Sequence, residues 1–264
     1  MRAKTLRTYA YWITRFKDFC GGVLTEECFE NKAYEFIEYL KRENYSPSTI
    51  RIAYTAINML AEGRGVNLRL TNLPPVEEKI PPFLEEEEIK KLIDGTPSLR
   101  DKAIIALLYD CALRVGELIE LDVEDVNLKD RTILVKSRKW GGFPQRLPMS
   151  EKTAEILEKY IKERGLESGA LFPSSLSRGF GPRPSRSGRI TNAGVYYIVR
   201  SWGELVLGKK VHPQMLRHTA AVMLLKHGVD METIRDFLGL KSDTTTRQYA
   251  RLMPAELKKL PPRL

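Results

Sequence analysis

Two side chains near the carboxyl-terminal end of the chain have the types and spacing needed for chemistry on an anion. Arg217 lies in the early turns of a predicted helix, which Pro213 opens and Gly228 follows. An arginine in the amino-terminal region of a helix is suited to holding an anion. Tyr249 lies on a later segment, and a tyrosine hydroxyl can act as a covalent nucleophile. The pattern predicts attack by a protein hydroxyl on a bound anionic group.

Three short motifs around these residues resemble the signature of the tyrosine recombinase family, which includes phage integrases, Cre and the Xer recombinases. They are the L-R-H-T sequence from Leu216 to Thr219, the Leu238-Gly239 pair, and the T-x-x-Y that ends at Tyr249. A buried arginine and a half-buried aromatic in a helical core would account for either residue alone. The three motifs together, in this order, favour membership of the family.

A second arginine motif lies earlier in the chain. Residues 112–118 resemble the family's G-L-R-x-x-E-L, with Ala112 in place of the glycine. The resemblance implies that Arg114 and Arg217 clamp a phosphate, because planar guanidinium groups suit bidentate contact with its oxygens. It also implies that Glu117 orients Arg114 or packs near it.

The resemblance assigns the remaining roles at the site. Tyr249 is the nucleophile that forms a 3′-phosphotyrosyl link, which a 5′-hydroxyl can later reseal. Lys139, near the turn of a predicted β-hairpin, is the acid that protonates the departing 5′-hydroxyl. Lys136, before the same turn, stays open as the alternative acid. His218 is similar to a family position that supports the site without reacting.

Two catalytic positions depart from the family pattern. The family has H-x-x-R before its second arginine, whereas Gln214 occupies the histidine position here. The family often has histidine or tryptophan after the Leu-Gly pair, whereas this chain has Leu240. Gln214 can donate a hydrogen bond to a phosphate oxygen, but Leu240 has no donor. We therefore expect a slow enzyme rather than an inactive one.

The composition indicates a polyanionic partner. The 264 residues carry a formal net charge of +9 with a pI near 9.4, and 42% are hydrophobic, enough for a real core. No apolar run is long enough to span a bilayer, so we predict a cytoplasmic protein without a membrane partner. Three cysteines without C-x-x-C spacing, Cys20, Cys28 and Cys111, argue against disulfides and a zinc site. The sequence has neither a metal-ligand cluster nor a phosphate-binding glycine loop, so we predict no metal and no cofactor.

Apolar periodicity and proline pairs divide the chain into two parts. Residues 1–72 are predicted to form a helical bundle, which the resemblance implies is a core-binding, SAM-like domain, and residues 73–84 a proline-rich linker. Residues 85–264 are predicted to form an α+β catalytic domain with strands at 132–135 and 145–149. The fold class is therefore mainly α with a small antiparallel β-sheet. The predicted helices span residues 4–19, 31–43, 47–62, 85–94, 99–113, 151–164, 191–202, 213–227 and 231–238.

Basic side chains in both parts are expected to contact the phosphates of double-stranded DNA that carries a specific recombination site. In the bundle these are Lys4, Arg7 and Arg51. In residues 174–189, which are predicted to form a flexible basic loop, they are Arg183, Arg186 and Arg189, which adjoin Pro182, Ser185 and Gly188. The resemblance implies that four protomers act together, as a homotetramer on DNA.

Three functions fit this sequence. The first is a site-specific recombinase that serves integration, excision or chromosome dimer resolution. The second is a DNA-binding relative with weak or lost strand transfer, which Gln214 and Leu240 keep open. The third, a relaxing enzyme resembling type IB topoisomerases, is disfavoured by the small amino-terminal bundle. Tyr196 and Tyr197 stay open as other nucleophiles.

Overall fold

Helices dominate the described part of this chain in the computed structural model. The structure describes residues 3–76, 81–136, 144–174 and 188–240, except for the side chains of residues 3 and 4. Within those ranges the helices are accompanied by one three-stranded antiparallel sheet. The predicted fold class, mainly α with a small antiparallel β-sheet, is therefore confirmed.

Two units make up the chain, Met1–Glu78 and Lys79–Leu264. Their division falls within residues 73–84, the stretch that two proline pairs mark as a linker. A proline pair cannot continue a helix and favours extended chain, which is why a division at this place is expected. The bounds of the linker themselves stay a prediction.

The amino-terminal unit is a helical bundle around an aromatic core. Ser46 starts its last helix by accepting a hydrogen bond from the backbone N–H of Thr49 at 3.2 Å, with Pro47 in the first helical position. Phe16 and Phe36 are completely buried, with their ring centroids 5.3 Å apart. The elements of this unit are α1 (Ala3–Phe19), a π-helical turn (Cys28–Lys32), α2 (Ala33–Arg42) and α3 (Pro47–Glu62).

A disulfide joins Cys20 to Cys28, whose Cα atoms lie 6.0 Å apart. The expectation of no disulfide is therefore wrong for this pair, whereas Cys111 is free and buried. Gly21 and Gly22 have positive φ angles of 84° and 92°, a conformation that glycine adopts readily and that turns the chain at the end of α1. The pairing depends on this turn, and cysteine spacing alone does not reveal it.

The carboxyl-terminal unit packs around one central helix, α5 (Leu99–Asp110). Every residue from Ala103 to Leu108 is fully buried, so this part of the helix is apolar on all sides. The other α-helices among the described residues of this unit are α4 (Glu86–Asp94), α6 (Val115–Ile119), α7 (Glu151–Arg164), α8 (Asn192–Leu207), α9 (Pro213–Lys226) and α10 (Met231–Leu238). None of the helices among the described residues is long and apolar enough to cross a membrane.

Helix α5 ends at Asp110, before the end predicted at residue 113. Ala112 has a φ of +46°, in the left-handed region that costs a residue other than glycine roughly 1–2 kcal/mol. This turn interrupts the helical path and lets Arg114, in an extended conformation, start α6. Alanine thus replaces the family's glycine at a position where glycine would be unstrained.

The predicted β-hairpin is present in the sheet. Strand β2 (Thr132–Val135) pairs antiparallel with β3 (Gln145–Pro148), with Val135 opposite Gln145. A short strand β1 (Val126–Asn127), which the sequence pattern does not indicate, pairs with the other edge of β2. Residues 137–143, which include Lys139, connect these two strands in the sequence and lie outside the described residues.

Capped helix ends position the last described segment of the chain. His212 caps α9 through its ring nitrogen, and Asp230 caps α10 through its carboxylate. Helix α10 ends at Gly239, which has a left-handed φ of 57°. The last carbonyl groups of a helix lack partners within it, so those of Leu238 and Gly239 are available to side chains from elsewhere in the unit.

Candidate active site

Arg217, on α9, is almost completely buried, with 2% of its surface exposed. Its guanidinium donates hydrogen bonds to the carbonyl oxygens of Ala112, which precedes α6, and Leu238, at the end of α10. The carbonyl end of a helix carries a partial negative charge that favours a cation. One arginine therefore connects three elements and is itself held rigidly.

Arg114 reaches the same end of α10 from the start of α6. Its Nη2 donates to the carbonyl oxygen of Gly239 at 3.0 Å, and its Nη1 pairs with Oε1 of Glu117 at 2.7 Å. The side chain of Arg114 is 25% exposed, whereas that of Arg217 is 3% exposed. Arg114 is therefore the member of the pair that solvent, or a ligand, reaches more easily.

One carboxylate, that of Glu117, binds both arginines. Besides its contact with Arg114, its Oε2 lies 3.8 Å from Nη1 of Arg217 and accepts a hydrogen bond from the backbone N–H of Arg114 at 2.8 Å. The Glu117 side chain is only 6% exposed. Two guanidinium charges against one carboxylate leave a net positive charge in partly buried surroundings, where electrostatic attraction is stronger than in water.

This cluster of Arg114, Glu117 and Arg217 is suited to binding one phosphate group. Guanidinium groups form strong, bidentate hydrogen bonds with phosphate oxygens. Because carbonyl groups and Glu117 already hold both arginines, little reorganisation is needed when charge develops on a bound phosphate. The structure thus brings these three predicted residues together, while their catalytic roles stay a prediction.

Protein-family models match residues in both units of the chain. Residues 82–256 match the model described as the phage integrase family. The chain belongs to the phage integrase family. Residues 1–62 match a second model, described as the phage integrase N-terminal SAM-like domain. The family predicted from the short motifs is therefore confirmed.

Relatives of this phage integrase family member are named tyrosine recombinases. XerA of Pyrococcus horikoshii is 30% identical over 256 residues, which cover 96% of this chain and 85% of the relative. XerA of Thermococcus kodakarensis is 29% identical over 259 residues, which cover 97% of this chain and 87% of the relative. The prediction that this chain is an enzyme of the tyrosine recombinase class is confirmed.

Solved structures of the family share the fold. A crystal structure of XerA recombinase has a TM-score of 0.57 and 26% identity, and the match covers 98% of this chain and 91% of that one. The XerH site-specific recombinase, bound to a palindromic difH substrate after cleavage, has a TM-score of 0.73 and 21% identity, covering 96% and 78%. At 21% identity, the match to XerH shows similarity of fold alone.

The two positions where this family member departs from the pattern have different surroundings. Gln214 is exposed on the first turn of α9, one turn before Arg217. Leu240 is half-buried and packs against an apolar cluster that includes Ile234 and Leu238. The amide of Gln214 is therefore accessible to a ligand, whereas the surroundings of Leu240 suit an apolar side chain.

Lys136, the alternative acid, is held by two carboxylates. Its Nζ lies 2.6 Å from Oδ2 of Asp122 and 2.9 Å from Oδ2 of Asp125. Hydrogen bonding to Asp122, and then to Asp125, raises the pKa of Lys136 above its usual value and makes it a poorer acid. Lys139 lies outside the described residues and stays the predicted acid, because Lys136 is engaged elsewhere.

Arg189 is bound within the protein rather than presented to a ligand. Its Nη1 donates to the backbone oxygens of Ile119 at 3.1 Å and Leu121 at 2.9 Å, and its Nη2 pairs with Asp122. A phosphate contact from this arginine, which adjoins Gly188, would have to displace these bonds. The role predicted for it in DNA binding stays a prediction.

The other basic positions are only partly within the described residues. Arg7 is exposed on α1. Arg51 is exposed on α3, and its Nε donates to the backbone oxygen of Pro74 at 3.2 Å. Their contacts with DNA stay predictions. The side chains of Lys4, Arg183 and Arg186 lie outside the described residues.

Asp122 contacts two of the predicted site residues, Lys136 and Arg189, and the sequence did not indicate these contacts. It accepts from Lys136, at the base of the hairpin, and from Arg189, just before α8. These hydrogen bonds, that of Lys136 first, lower the pKa of Asp122 below its usual value. The available signal was two acidic residues, Asp122 and Asp125, before a strand, a pattern that is common on solvated surfaces.

His218 follows Arg217 on α9 and is half-buried. Burial, followed by the charge of Arg217, lowers the pKa of His218 from 6.5 to about 4. Between these values the unfolded chain binds a proton that the folded chain does not. The stability associated with His218 is therefore present above pH 6.5 and lost as the pH falls toward 4.

Replacement of His218 by glutamine is expected to flatten the fall in the free energy of unfolding between pH 6.5 and 4. Urea denaturation at a series of pH values measures this for both proteins. His212, whose pKa burial also lowers, stays in both, so the difference in slope reports His218 alone. Parallel pH profiles would contradict a buried neutral imidazole at this position.

Proposed function

We propose that this chain cleaves and rejoins DNA at specific sites through a 3′-phosphotyrosyl intermediate formed by Tyr249. The observation that carries the proposal is the buried cluster of Arg114, Glu117 and Arg217. A rigid pair of cations with one shared carboxylate is suited to holding a scissile phosphodiester. The family membership supports the same conclusion.

Each of the predicted catalytic residues has its own role in the reaction. Arg114 and Arg217 bind the nonbridging oxygens and stabilise the charge that develops there. The Tyr249 hydroxyl releases its proton to solvent and its oxygen attacks phosphorus, so an oxygen–phosphorus bond to the tyrosine forms while the bond to the 5′ oxygen breaks. Lys139 gives its proton to that departing oxygen. Attack by a 5′-hydroxyl from another strand reverses these steps and releases the tyrosine.

DNA is the partner of this enzyme class, and solved structures of related integrases and recombinases are bound to DNA. For this chain we propose a double-stranded recombination site, a homotetramer on that site, and a cytoplasmic location. The net charge of +9 supports binding to a polyanion. Complete exchange requires a cut in both strands of each of two duplexes. Each protomer has one Tyr249 and makes one cut, which is why four protomers are proposed.

Nicked suicide duplexes test the proposed function. In such a duplex the short fragment beyond the cut diffuses away, so the covalent adduct is trapped. Because the site is not known, a pool of nicked duplexes of random sequence is incubated with the protein and denatured with detergent. We expect protein linked to the 3′ end of the cut strand. DNA binding without any adduct would favour the second candidate, a DNA-binding relative that has lost strand transfer.

That second candidate rests on Gln214 and Leu240. Replacement of Gln214 by histidine is expected to raise the single-turnover cleavage rate several-fold, because a protonated imidazole donates a charge-assisted hydrogen bond to a developing charge, whereas the amide of Gln214 donates a neutral one. The exposed position of Gln214 accepts an imidazole without repacking. Gln214→Asn, which keeps an amide but shortens the side chain, is the control and should bring no gain. Equal rates for Gln214→His and the unchanged protein would show that histidine is not what this site lacks.

A further inference from the structure

One arginine of the amino-terminal bundle is held by three tyrosines. Nη1 of Arg15, on α1, lies 2.8 Å from the hydroxyl oxygen of Tyr45 and 3.2 Å from that of Tyr11. Its Nη2 lies 3.2 Å from the hydroxyl oxygen of Tyr39. Tyr39 belongs to α2 and Tyr45 to the turn before α3, so the three hydroxyl groups come from three parts of the bundle.

These contacts hold the guanidinium without neutralising its charge. A tyrosine hydroxyl is uncharged at neutral pH and serves here as a hydrogen-bond acceptor. Among the described residues, Arg15 forms no ion pair with a carboxylate, unlike Arg100 or Arg200. Hydrogen bonding to Tyr11 raises the pKa of Arg15 further. A full positive charge therefore lies in a fixed position on a half-buried side chain.

The guanidinium keeps donors for a further acceptor. It has five N–H groups, and the three tyrosines account for three of them. Two N–H groups can form the bidentate contact that phosphate oxygens accept. Its carbon atom also lies 6.0 Å from the ring centre of Tyr11 and 5.8 Å from that of Tyr45, distances typical of cation–π contacts.

Arg15 lies on the same face of α1 as Arg7, which is already expected to contact DNA. Arg7, Tyr11 and Arg15 follow one another at intervals of four along α1, so they lie on the same face of the helix. Arg7 is exposed and Tyr11 is 52% exposed. This face therefore presents two cations with an aromatic ring between them.

We propose that Arg15, held by Tyr11, Tyr39 and Tyr45, is a preorganised binding site for a phosphate of the DNA backbone. The inference rests on the proposed function, since it assigns one contact between this enzyme and its DNA. A long side chain normally loses conformational freedom when it binds. The three hydroxyl groups impose that restriction on Arg15 before DNA arrives.

The salt dependence of DNA binding tests this site. Arg15→Met removes the charge and keeps much of the volume, and binding to a random-sequence duplex is followed by fluorescence anisotropy at several salt concentrations. We expect weaker binding and a log–log salt slope that is smaller by about 0.9, the value for one phosphate contact. Arg64→Met is the matched control, because Arg64 lies over the Phe29 ring of the same bundle at 5.7 Å. An unchanged slope in Arg15→Met, with stability lost instead, would show that Arg15 only joins the helices.

A second pair of variants keeps the charge and carries the test if Arg15→Met does not fold. Tyr39→Phe removes one hydroxyl from the guanidinium, whereas Tyr54→Phe removes a hydroxyl that bonds to the backbone oxygen of Leu68. We expect Tyr39→Phe to weaken DNA binding several-fold with the salt slope unchanged, and Tyr54→Phe to have no effect. Equal affinities for both would overturn the proposal. If the unchanged protein bound no DNA at all, the proposed function would fail as well.

Discussion

Replacement of Tyr249 by phenylalanine is expected to abolish the covalent protein–DNA adduct and leave DNA binding intact. Only a hydroxyl oxygen at this position can form the bond to phosphorus, and phenylalanine keeps the ring without that oxygen. Adduct formation is measured on denaturing gels with nicked duplexes of random sequence. Affinity is measured in parallel by fluorescence anisotropy, so a variant that merely unfolds is recognised by its lost binding.

Two other tyrosines provide the control for this experiment. Tyr196 and Tyr197 lie on α8 with 47% and 58% of their surfaces exposed, so either is accessible to a substrate. Tyr196→Phe and Tyr197→Phe are expected to form the adduct as the unchanged protein does. If Tyr249→Phe still formed it and one of these variants did not, the nucleophile would be misassigned. Tyr249 lies outside the described residues, so its role is a proposal that depends on family and spacing.

Local sequence signals were sufficient for most helices of this protein. The helix predicted over residues 151–164 has those bounds in the structure, because Ser150 caps its start and Gly165 ends it in a left-handed conformation. The hairpin strands were found in the same way, from two short segments on either side of a glycine-containing turn. Such features depend on neighbouring residues, which a single sequence displays directly.

The contacts that build the site depend on residues far apart in the chain. Arg217 binds the carbonyl oxygen of Ala112, 105 residues away, and Arg114 binds that of Gly239, 125 residues away. Backbone carbonyl groups carry no sequence signature, so the motifs named the arginines but not what holds them. The same reason applies to Arg189, because the sequence does not reveal that its guanidinium donates to the backbone oxygens of Ile119 and Leu121.

Removal of Glu117 is expected to affect both stability and cleavage, because both arginines lose the carboxylate that they share. Taking one partner from a buried ion pair typically costs about 3–5 kcal/mol of unfolding free energy, and we expect a loss of this size for Glu117→Ala. Urea denaturation measures it. Glu120→Ala is the matched control at the end of the same helix, since Glu120 is exposed and its loss should change stability by no more than about 0.5 kcal/mol.

Glu117→Gln separates the effect on chemistry from the effect on folding. Glutamine keeps the shape and one acceptor oxygen, so Arg114 and Arg217 stay nearby but are no longer aligned by a charged partner. At a temperature where this variant is fully folded, we expect a single-turnover cleavage rate reduced by roughly 10²–10³. Affinity for DNA should not fall, because the net positive charge of the cluster increases. A variant that is folded and cleaves as fast as the unchanged protein would contradict a positioning role for Glu117. Unchanged stability in Glu117→Ala would contradict the shared ion pair itself.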